Sequence, residues 1–470
     1  MEAYNEDDTV QLYLGDSLDV LPTLADASVD AVVCDPPYEL GFMGKAWDAS
    51  GIAYNVDIWR QCWRVLKPGG HLLAFGGTRT YHRMTVAIED AGFEIRDSLH
   101  WIYGSGFPKG QDIAKGIDRH RRRDYVLAAV DLGLQIPGNN LHDWTKAEHS
   151  PGDVWWEKFK AHLAPEDWQR IERRVIGVRK TGIGTGGGDV AYISDSGNRD
   201  VTASATPEAL QWQGWNTTLK PAHEPIVMAR KSTGFNTTVA NVLEHGTGAL
   251  NIDGCRTQAG QDYRDKCASV VGIDSPRNGD TLGEWTGVRE DSAHAAGRWP
   301  TNILLSHGPD CIDGGDCQAG CPVVEMDQQS GVSKSDGHRR GERHGSVYGG
   351  GNGPSGPNGV RGHEDAGGAS RFFPVFRYEA KAPASERPRL ADGTAHTTVK
   401  PLALMRWLVR LVTPPGGTVL DPFAGSGATL EACRLESFQS IGIEKDPAHA
   451  ELCTVRLAKP YMTDLFGGAA

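Results

Sequence analysis

Apolar and polar positions change their pattern several times along this chain. Between residues 9 and 110, apolar runs at 11–14, 29–34 and 71–76 read as strands, and segments at about 17–25, 54–66 and 80–91 read as helices. His100-Trp101-Ile102-Tyr103 looks like a further strand. Alternation of this kind predicts a parallel sheet covered by helices. The pattern returns late in the sequence. Gly417-Thr418-Val419-Leu420-Asp421 reads as a strand, Pro422-Phe423-Ala424-Gly425-Ser426-Gly427 as a glycine-bearing turn, and Ala428 to Leu435 as the opening of a helix. A second strand, Ser440-Ile441-Gly442-Ile443, ends in Glu444. The expectation is an α/β fold made from two halves distant in sequence.

The residues between the halves differ in kind. Residues 111–211 open basic and helical at Arg119-His120-Arg121-Arg122-Arg123 and carry Trp144, Trp155, Trp156 and Trp168. Pro165-Glu166-Asp167-Trp168 looks like a helix start. We read 118–177 as a small helical insert, with a mere packing decoration as the alternative. Gly182 to Gly188 reads as a flexible connector. Residues 233–371 show little periodicity and much glycine. The stretch Ser330 to Gly368 is dominated by Gly, Ser, Asp, Asn, His and Arg, a composition that cannot bury a core and predicts a mobile loop.

Two segments carry candidate chemistry. Asp35-Pro36-Pro37-Tyr38 follows the apolar run Ala31-Val32-Val33-Cys34. A carboxylate, two prolines and an aromatic at a strand end can hold a flat amine-bearing ring. The carboxylate accepts from the amine, the prolines stiffen the turn and donate nothing, and the tyrosine offers a stacking face. A plain surface turn is the alternative. The second segment is the strand, glycine turn, helix, strand and acid around residues 417–444, the first half of a nucleotide-binding βαβ unit. Glu444 lies 23 residues after Asp421, where such folds present a carboxylate to ribose hydroxyls. The pattern is F-x-G-x-G, and no phosphate-binding lysine follows it. That favours a nucleoside cofactor without phosphates over NAD or ATP.

With these residues the chain resembles an amino-group DNA methyltransferase that uses S-adenosylmethionine. The order of its parts is similar to the permuted group, phage-type members included, in which the catalytic motif precedes the cofactor motif. Gly15-Asp16-Ser17, Trp63-Arg64-Val65-Leu66-Lys67-Pro68-Gly69-Gly70, Thr218 to Ile226 and Thr398-Val399-Lys400-Pro401 add to the likeness. One departure is His396-Thr397-Thr398, where the family often has His-Pro-Thr. The resemblance implies a Rossmann-like methyltransferase sheet with helices on both faces. It divides the chain into a catalytic half at 1–110, a helical insert at 111–211, a sheet-completing segment at 212–232, a target-recognition region at 233–371 and a cofactor half at 372–470. The insert faintly resembles a helix-turn-helix module.

The resemblance also implies roles. Asp35 and the Pro36 carbonyl would accept the two hydrogens of an exocyclic base amine, Pro37 would hold the turn, and Tyr38 would stack on a base flipped out of duplex DNA. Asp421, Phe423, Gly425 and Gly427 would line the cofactor, with Glu444 on its ribose, Asp16 near its adenine and Lys400 closing the pocket. Asp at the head of the catalytic motif points to adenine rather than cytosine. Arg339, Arg340, Arg343 and Arg361 could meet phosphates, or the loop that carries them could stay solvated.

Composition narrows the reading further. A chain of 470 residues can hold two to four domains. No apolar run can span a membrane, and there is no signal-peptide pattern. Nine cysteines, an odd number, argue for a reducing compartment, consistent with the cytoplasm of a bacterial or phage-infected cell. The net charge of −12 is the feature least expected of a DNA binder. His307, Cys311, Cys317 and Cys321 stand close together with the spacing H-x3-C-x5-C-x3-C; because this is not a C-x2-C knuckle, ordinary reduced cysteines in a loop are the preferred reading, with structural zinc as the competing one. For a zinc site, Cys255 and Cys267 are possible substitute ligands. Cys34 and Cys433 read as core residues. Rival functions are a cytosine amine methyltransferase, an RNA or protein methyltransferase, and a non-catalytic DNA-binding relict. No nuclease motif is evident, so any restriction partner would be a separate chain.

Overall fold

The computed structural model describes residues 2–40, 50–103, 110–120, 161, 164–165, 175–180, 198–257, 297–307, 311, 317, 321–334, 338–339, 360–361, 366–376, 387–396 and 398–459. Arg121–Arg123, the four tryptophans of the insert, Gly182–Gly188, Cys267, Arg340, Arg343 and most of the glycine-rich loop lie outside the described residues. The chain divides into two units, one of residues 1–105 with 222–470 and one of residues 106–221.

The first unit is built on a ten-stranded sheet. Its strands are β1 (Asn5–Glu6), β2 (Val10–Leu14), β3 (Val29–Cys34), β4 (Leu66–Phe75), β5 (Phe93–Ile102), β6 (His223–Lys231), β7 (Ile303–Ser306), β8 (Val375–Phe376), β9 (Thr418–Asp421) and β10 (Gln439–Glu444). The spatial order is β1-β2-β10-β9-β3-β4-β6-β5-β7-β8. β2 to β5 and β7 to β10 share one direction, and β6 runs antiparallel between β4 and β5. The late strands β9 and β10 insert between the early strands β2 and β3, so the two sequence halves form one sheet.

The central strands are mostly apolar because both faces are covered. Every residue of β3 is buried. Ala31 and Val33 face one cluster with Leu404, Leu408 and Val409 of α6 (Leu402–Val412), while Val32 and Cys34 face a second with Ile58, Trp59 and Cys62 of α2 (Val56–Val65). α1 (Ser17–Val20) and α3 (Tyr81–Asp90) lie in the early half, α4 (Thr238–His245) and α5 (Pro322–Ser330) in the middle, and α7 (Ala428–Leu435) and α8 (Pro447–Leu457) in the late half. α2 starts where the Asn55 side chain accepts from Asp57 N, and it buries Ile58, Trp59, Cys62 and Val65 at helical spacing.

The elements expected between residues 9 and 110 are present, with shifted ends. The expected strand at 71–76 is a ten-residue strand beginning at Leu66. The expected helix at 17–25 is one α-turn followed by a 3-10 turn, because Pro22 cannot continue the hydrogen-bond ladder. Residues 233–371 hold more order than their glycine content suggests. Ile303-Leu304-Leu305-Ser306 pairs in parallel with β5, and four residues give too little alternation to read from sequence.

The second unit contains helical residues 113–120, the short helix Pro207–Gln211 and an antiparallel pair, Val175–Lys180 with Asn198–Thr202. The insert is therefore mixed, not purely helical. Asp118 is fully buried and accepts from Ala205 N, Thr206 N and Thr206 Oγ1 at 2.9–3.1 Å.

Candidate functional site

Because the strands other than β1 and β6 share one direction, their carboxyl ends lie along one edge, where open α/β sheets bind ligands. Asp16 follows β2, Asp35 follows β3, Tyr103 follows β5, Asp421 ends β9 and Glu444 ends β10. β6 runs the other way, so its first residues, His223 and Glu224, reach the same edge. The sheet topology alone thus gathers acidic and aromatic side chains from both halves.

Asp35 is the centre of a charged cluster. Its Oδ2 accepts from Lys400 Nζ at 2.5 Å, and Lys400 Nζ also lies 3.4 Å from Glu224 Oε2. The Tyr38 hydroxyl donates to Glu224 Oε2 at 2.7 Å, and the Tyr103 hydroxyl reaches Glu224 Oε1 at 3.4 Å. The Lys400 ammonium sits 5.2 Å from the Tyr38 ring centroid and 4.8 Å from that of Phe75. Asp35 Oδ1 is buried and makes no hydrogen bond of ordinary geometry among the described residues. Burial pushes the Asp35 carboxyl above its usual value; Lys400 opposes that shift and Glu224 reinforces it. Burial works against charge on Lys400, but Asp35 and Glu224 outweigh it and hold the ammonium above its usual value. Burial, with Asp35 and Glu224 nearby, pushes Tyr38 well above the ordinary tyrosine range, so Tyr38 stays a neutral donor.

The Asp35-Pro36-Pro37-Tyr38 turn is braced from outside. Thr80 Oγ1 donates to the Tyr38 carbonyl at 2.7 Å. Pro36 is buried, and Pro37 and Tyr38 are half-buried. The following Glu39 adopts a left-handed φ of 55°, and its carboxylate accepts from Gly51 N at 2.7 Å.

The glycine turn lies beside this cluster, on β9, the neighbour of β3. Gly425 and Gly427 have φ of 55° and 78°. A Cβ on Gly425 would stand 3.3 Å from His396 Nε2. Glu444 Oε2 accepts from Gly425 N at 2.7 Å and Oε1 from Asp446 N at 2.8 Å. Each carboxylate oxygen has a second lone pair to offer. Asp421 is 2% exposed and accepts from Phe423 N at 3.0 Å. Burial raises its carboxyl to about 7, against a hydrogen bond from Thr429. Phe423 packs at 6.3 Å from Trp59. Asp16 caps α1 by accepting from Leu18 N, and it pairs with Lys445 at 2.7 Å; that hydrogen bond holds Asp16 below its usual value. Ser17 Oγ donates to the Pro422 carbonyl at 2.5 Å, which ties the β2 end to the glycine turn.

The structure places the residues expected at the two motifs along one edge of the sheet. Lys400, expected to help close the pocket, stands against Asp35. Glu224 and Tyr103 carried no expected role, and their signal was slight: Glu224 is the acid that begins the apolar run Pro225-Ile226-Val227-Met228. His396, quoted only as part of a turn, covers Gly425 and meets His449 edge-on at 4.4 Å. His307, Cys311, Cys317 and Cys321 come together at the end of β7. Cys255 is not among them, because it is buried against Trp407. Cys34 and Cys433 are buried core residues, as expected.

Residues 29–165 and 198–455 match the family described as DNA methylase. The type II methyltransferase M.BglI of Bacillus subtilis is 38% identical over 76 residues, 16% of this chain and 22% of that protein. The type II methyltransferase M.Cfr9I of Citrobacter freundii is 34% identical over 98 residues, 21% of this chain and 30% of that protein. The chain thus spans less than a third of the length of these curated relatives. Among solved structures, the cytosine-N4-specific PvuII DNA methyltransferase is 11% identical with a TM-score of 0.39, covering 98% of this chain and 91% of its own. The M1.HpyAVI complex with SAM is 12% identical with a TM-score of 0.34, covering 96% of this chain and 100% of its own.

Proposed function

Given that the chain belongs to the DNA methylase family, we propose that it transfers a methyl group from S-adenosylmethionine to an exocyclic amine of a DNA base, adenine N6, within a specific site. The observation that carries this reading is Asp35 Oδ1, a buried acceptor without an ordinary hydrogen bond among the described residues, beside the glycine turn. Such an oxygen is costly to leave unpaired, and a ligand N–H would satisfy it.

The residues fit the cofactor. Gly425 and Gly427 keep a ligand-facing turn free of side chains, and Glu444 offers lone pairs to ribose hydroxyls. The acceptors there are carboxylates, which suit hydroxyls and an adenine amine and would repel phosphates. Phe423, Asp421 and Asp16 complete that wall. When bound, S-adenosylmethionine supplies a sulfonium methyl already activated for displacement.

The protein's task is alignment. Asp35 Oδ1 and the Pro36 carbonyl accept the amine hydrogens, favouring a pyramidal nitrogen with a directed lone pair. Lys400 keeps Asp35 an acceptor in a site whose burial favours the protonated form. After transfer the nitrogen sheds a proton, and Asp35 Oδ1 is the acceptor at hand. Tyr38 is held by Glu224 and Thr80 to present its ring to a base flipped out of the duplex. Asp rather than Ser at the head of the motif supports adenine. Methylome sequencing of cells that express the protein tests this. N6-methyladenine in one sequence context is the expected result; N4-methylcytosine would overturn the base assignment, and no new DNA mark would overturn the activity.

A further inference from the structure

The cluster of His307, Cys311, Cys317 and Cys321 takes no part in the chemistry above. Its four ligand atoms all lie within 4.8 Å of one another. His307 Nδ1 is 3.3 Å from Cys317 Sγ and 3.6 Å from Cys321 Sγ. Around a tetrahedral zinc ion, with Zn–S near 2.3 Å and Zn–N near 2.0–2.1 Å, neighbouring ligand atoms stand roughly 3.5–3.8 Å apart. The two measured separations fall close to that length, and no pair exceeds it by more than about 1 Å.

The four residues come from different parts of the fold. His307 directly follows β7, and its backbone N–H donates to the Phe376 carbonyl of β8 at 3.0 Å. Cys321 is the residue that precedes the first turn of α5 and is 1% exposed. Cys311 and Cys317 belong to the connection between them, and none of the three cysteines is in a disulfide. Among the described residues, the apolar cluster around them has Leu305, Cys321 and Val323 as fully buried members, with Ile102, Ile303, Val324, Met326 and Phe373 partly buried against them. A metal crosslink would add to this small core and to the hydrogen bonds from Ser370 to Asp327 in holding the start of α5 to the end of β7.

We propose that His307, Cys311, Cys317 and Cys321 form a structural zinc site that ties α5 to the sheet edge carrying Asp35. Three thiolates and one imidazole complete a four-coordinate shell, which leaves no open position for a substrate and makes the site structural. The ligands are soft, which selects zinc over magnesium or calcium. The crosslink bears on the active edge through β5. β7 pairs with β5, Trp101 Nε1 donates to Ser306 Oγ at 2.7 Å, and β5 leads into Tyr103.

The test uses the full chain, expressed with zinc in the medium and purified without chelators. Elemental analysis should find about one zinc per chain, the stoichiometry of a closed four-ligand site. Replacement with cobalt should give the intense visible bands of a tetrahedral ion together with thiolate charge transfer. The Cys317→Ser/Cys321→Ser double variant should lose the metal, while His307→Cys, which keeps a ligand, should retain it. Chelation should expose the α5 region to protease and leave S-adenosylhomocysteine affinity unchanged, since the cofactor turn lies on other strands. Zinc present only in traces, a cobalt spectrum without thiolate bands, or full zinc content in the double variant would each overturn the proposal. Should the double variant not fold, zinc content and the cobalt spectrum of the unmodified protein decide it.

Discussion

Lys400 Nζ donates to Asp35 Oδ2 at 2.5 Å across a separation of 365 residues. The two side chains are only 9% and 22% exposed. One belongs to the segment before α6, the other to the end of β3, and the insertion of β9 beside β3 brings them together. The pair bears on the charge of Asp35, the group proposed to face the target amine, and it links the late part of the sequence to the early part.

Asp35→Ala should abolish methyl transfer and leave cofactor affinity largely intact. Loss of one well-placed acceptor in a desolvated site costs about 2–4 kcal/mol of barrier, or roughly a hundredfold or more in rate. Turnover on the protein's own recognition site and calorimetry with S-adenosylhomocysteine measure the two effects. Near-normal turnover would sink the assignment.

Lys400→Met and Glu224→Gln should move the acid limb of the rate–pH profile in opposite directions. Asp35 is a charge-assisted acceptor, able to take up the amine proton, only when ionised, so activity should fall as pH drops through its raised pKa. Lys400 lowers that pKa and Glu224 raises it. Removing the lysine charge should therefore shift the limb to higher pH, and neutralising Glu224 should shift it to lower pH. Profiles of kcat/KM for the two variants decide the matter; shifts of the same sign would mean that the limb belongs to another group.

Gly425→Val should weaken S-adenosylhomocysteine binding in a protein that still folds. The position has φ of 55°, where a side-chain-bearing residue costs about 1–2 kcal/mol and a β-branched one more. Its Cβ would also press on His396, 3.3 Å away, and displace the ring that covers the turn. Calorimetry with circular dichroism as the folding control tests this. Unchanged affinity would show the turn to be purely structural.

Asp421→Asn should stabilise the protein at neutral and alkaline pH and flatten its pH dependence. The buried Asp421 carboxyl is raised to about 7, above its unfolded value. A raised acid favours the folded state fully below the unfolded pKa, and that advantage is lost as pH rises through the folded one. Stability from this group should thus decline between roughly pH 4 and 7, by at most about 4 kcal/mol. The amide keeps an oxygen for Phe423 N and carries no charge. Thermal melts of both proteins across this window should diverge as pH rises; parallel curves would refute the claim.

Sequence by itself determined the local pieces. β3 reads from Ala31 to Cys34 because a strand covered on both faces must be apolar throughout. The glycine turn reads because Gly425 and Gly427 stand where the backbone takes a left-handed φ. His307 and its cysteines read as a group because an imidazole and three thiols within fifteen residues are chemically distinctive. Tertiary structure alone decided which distant residues meet. The pairing of Lys400 with Asp35 follows from strand order, which leaves no periodicity in the chain. Glu224 reaches the active edge because β6 runs antiparallel to its neighbours, and strand direction is set by pairing across the sheet. Ile303–Ser306 becomes a strand because β5 offers it an edge, since four residues hold too few alternations to declare themselves. Local patterns fix what each segment can be; contacts hundreds of residues apart fix where its side chains act.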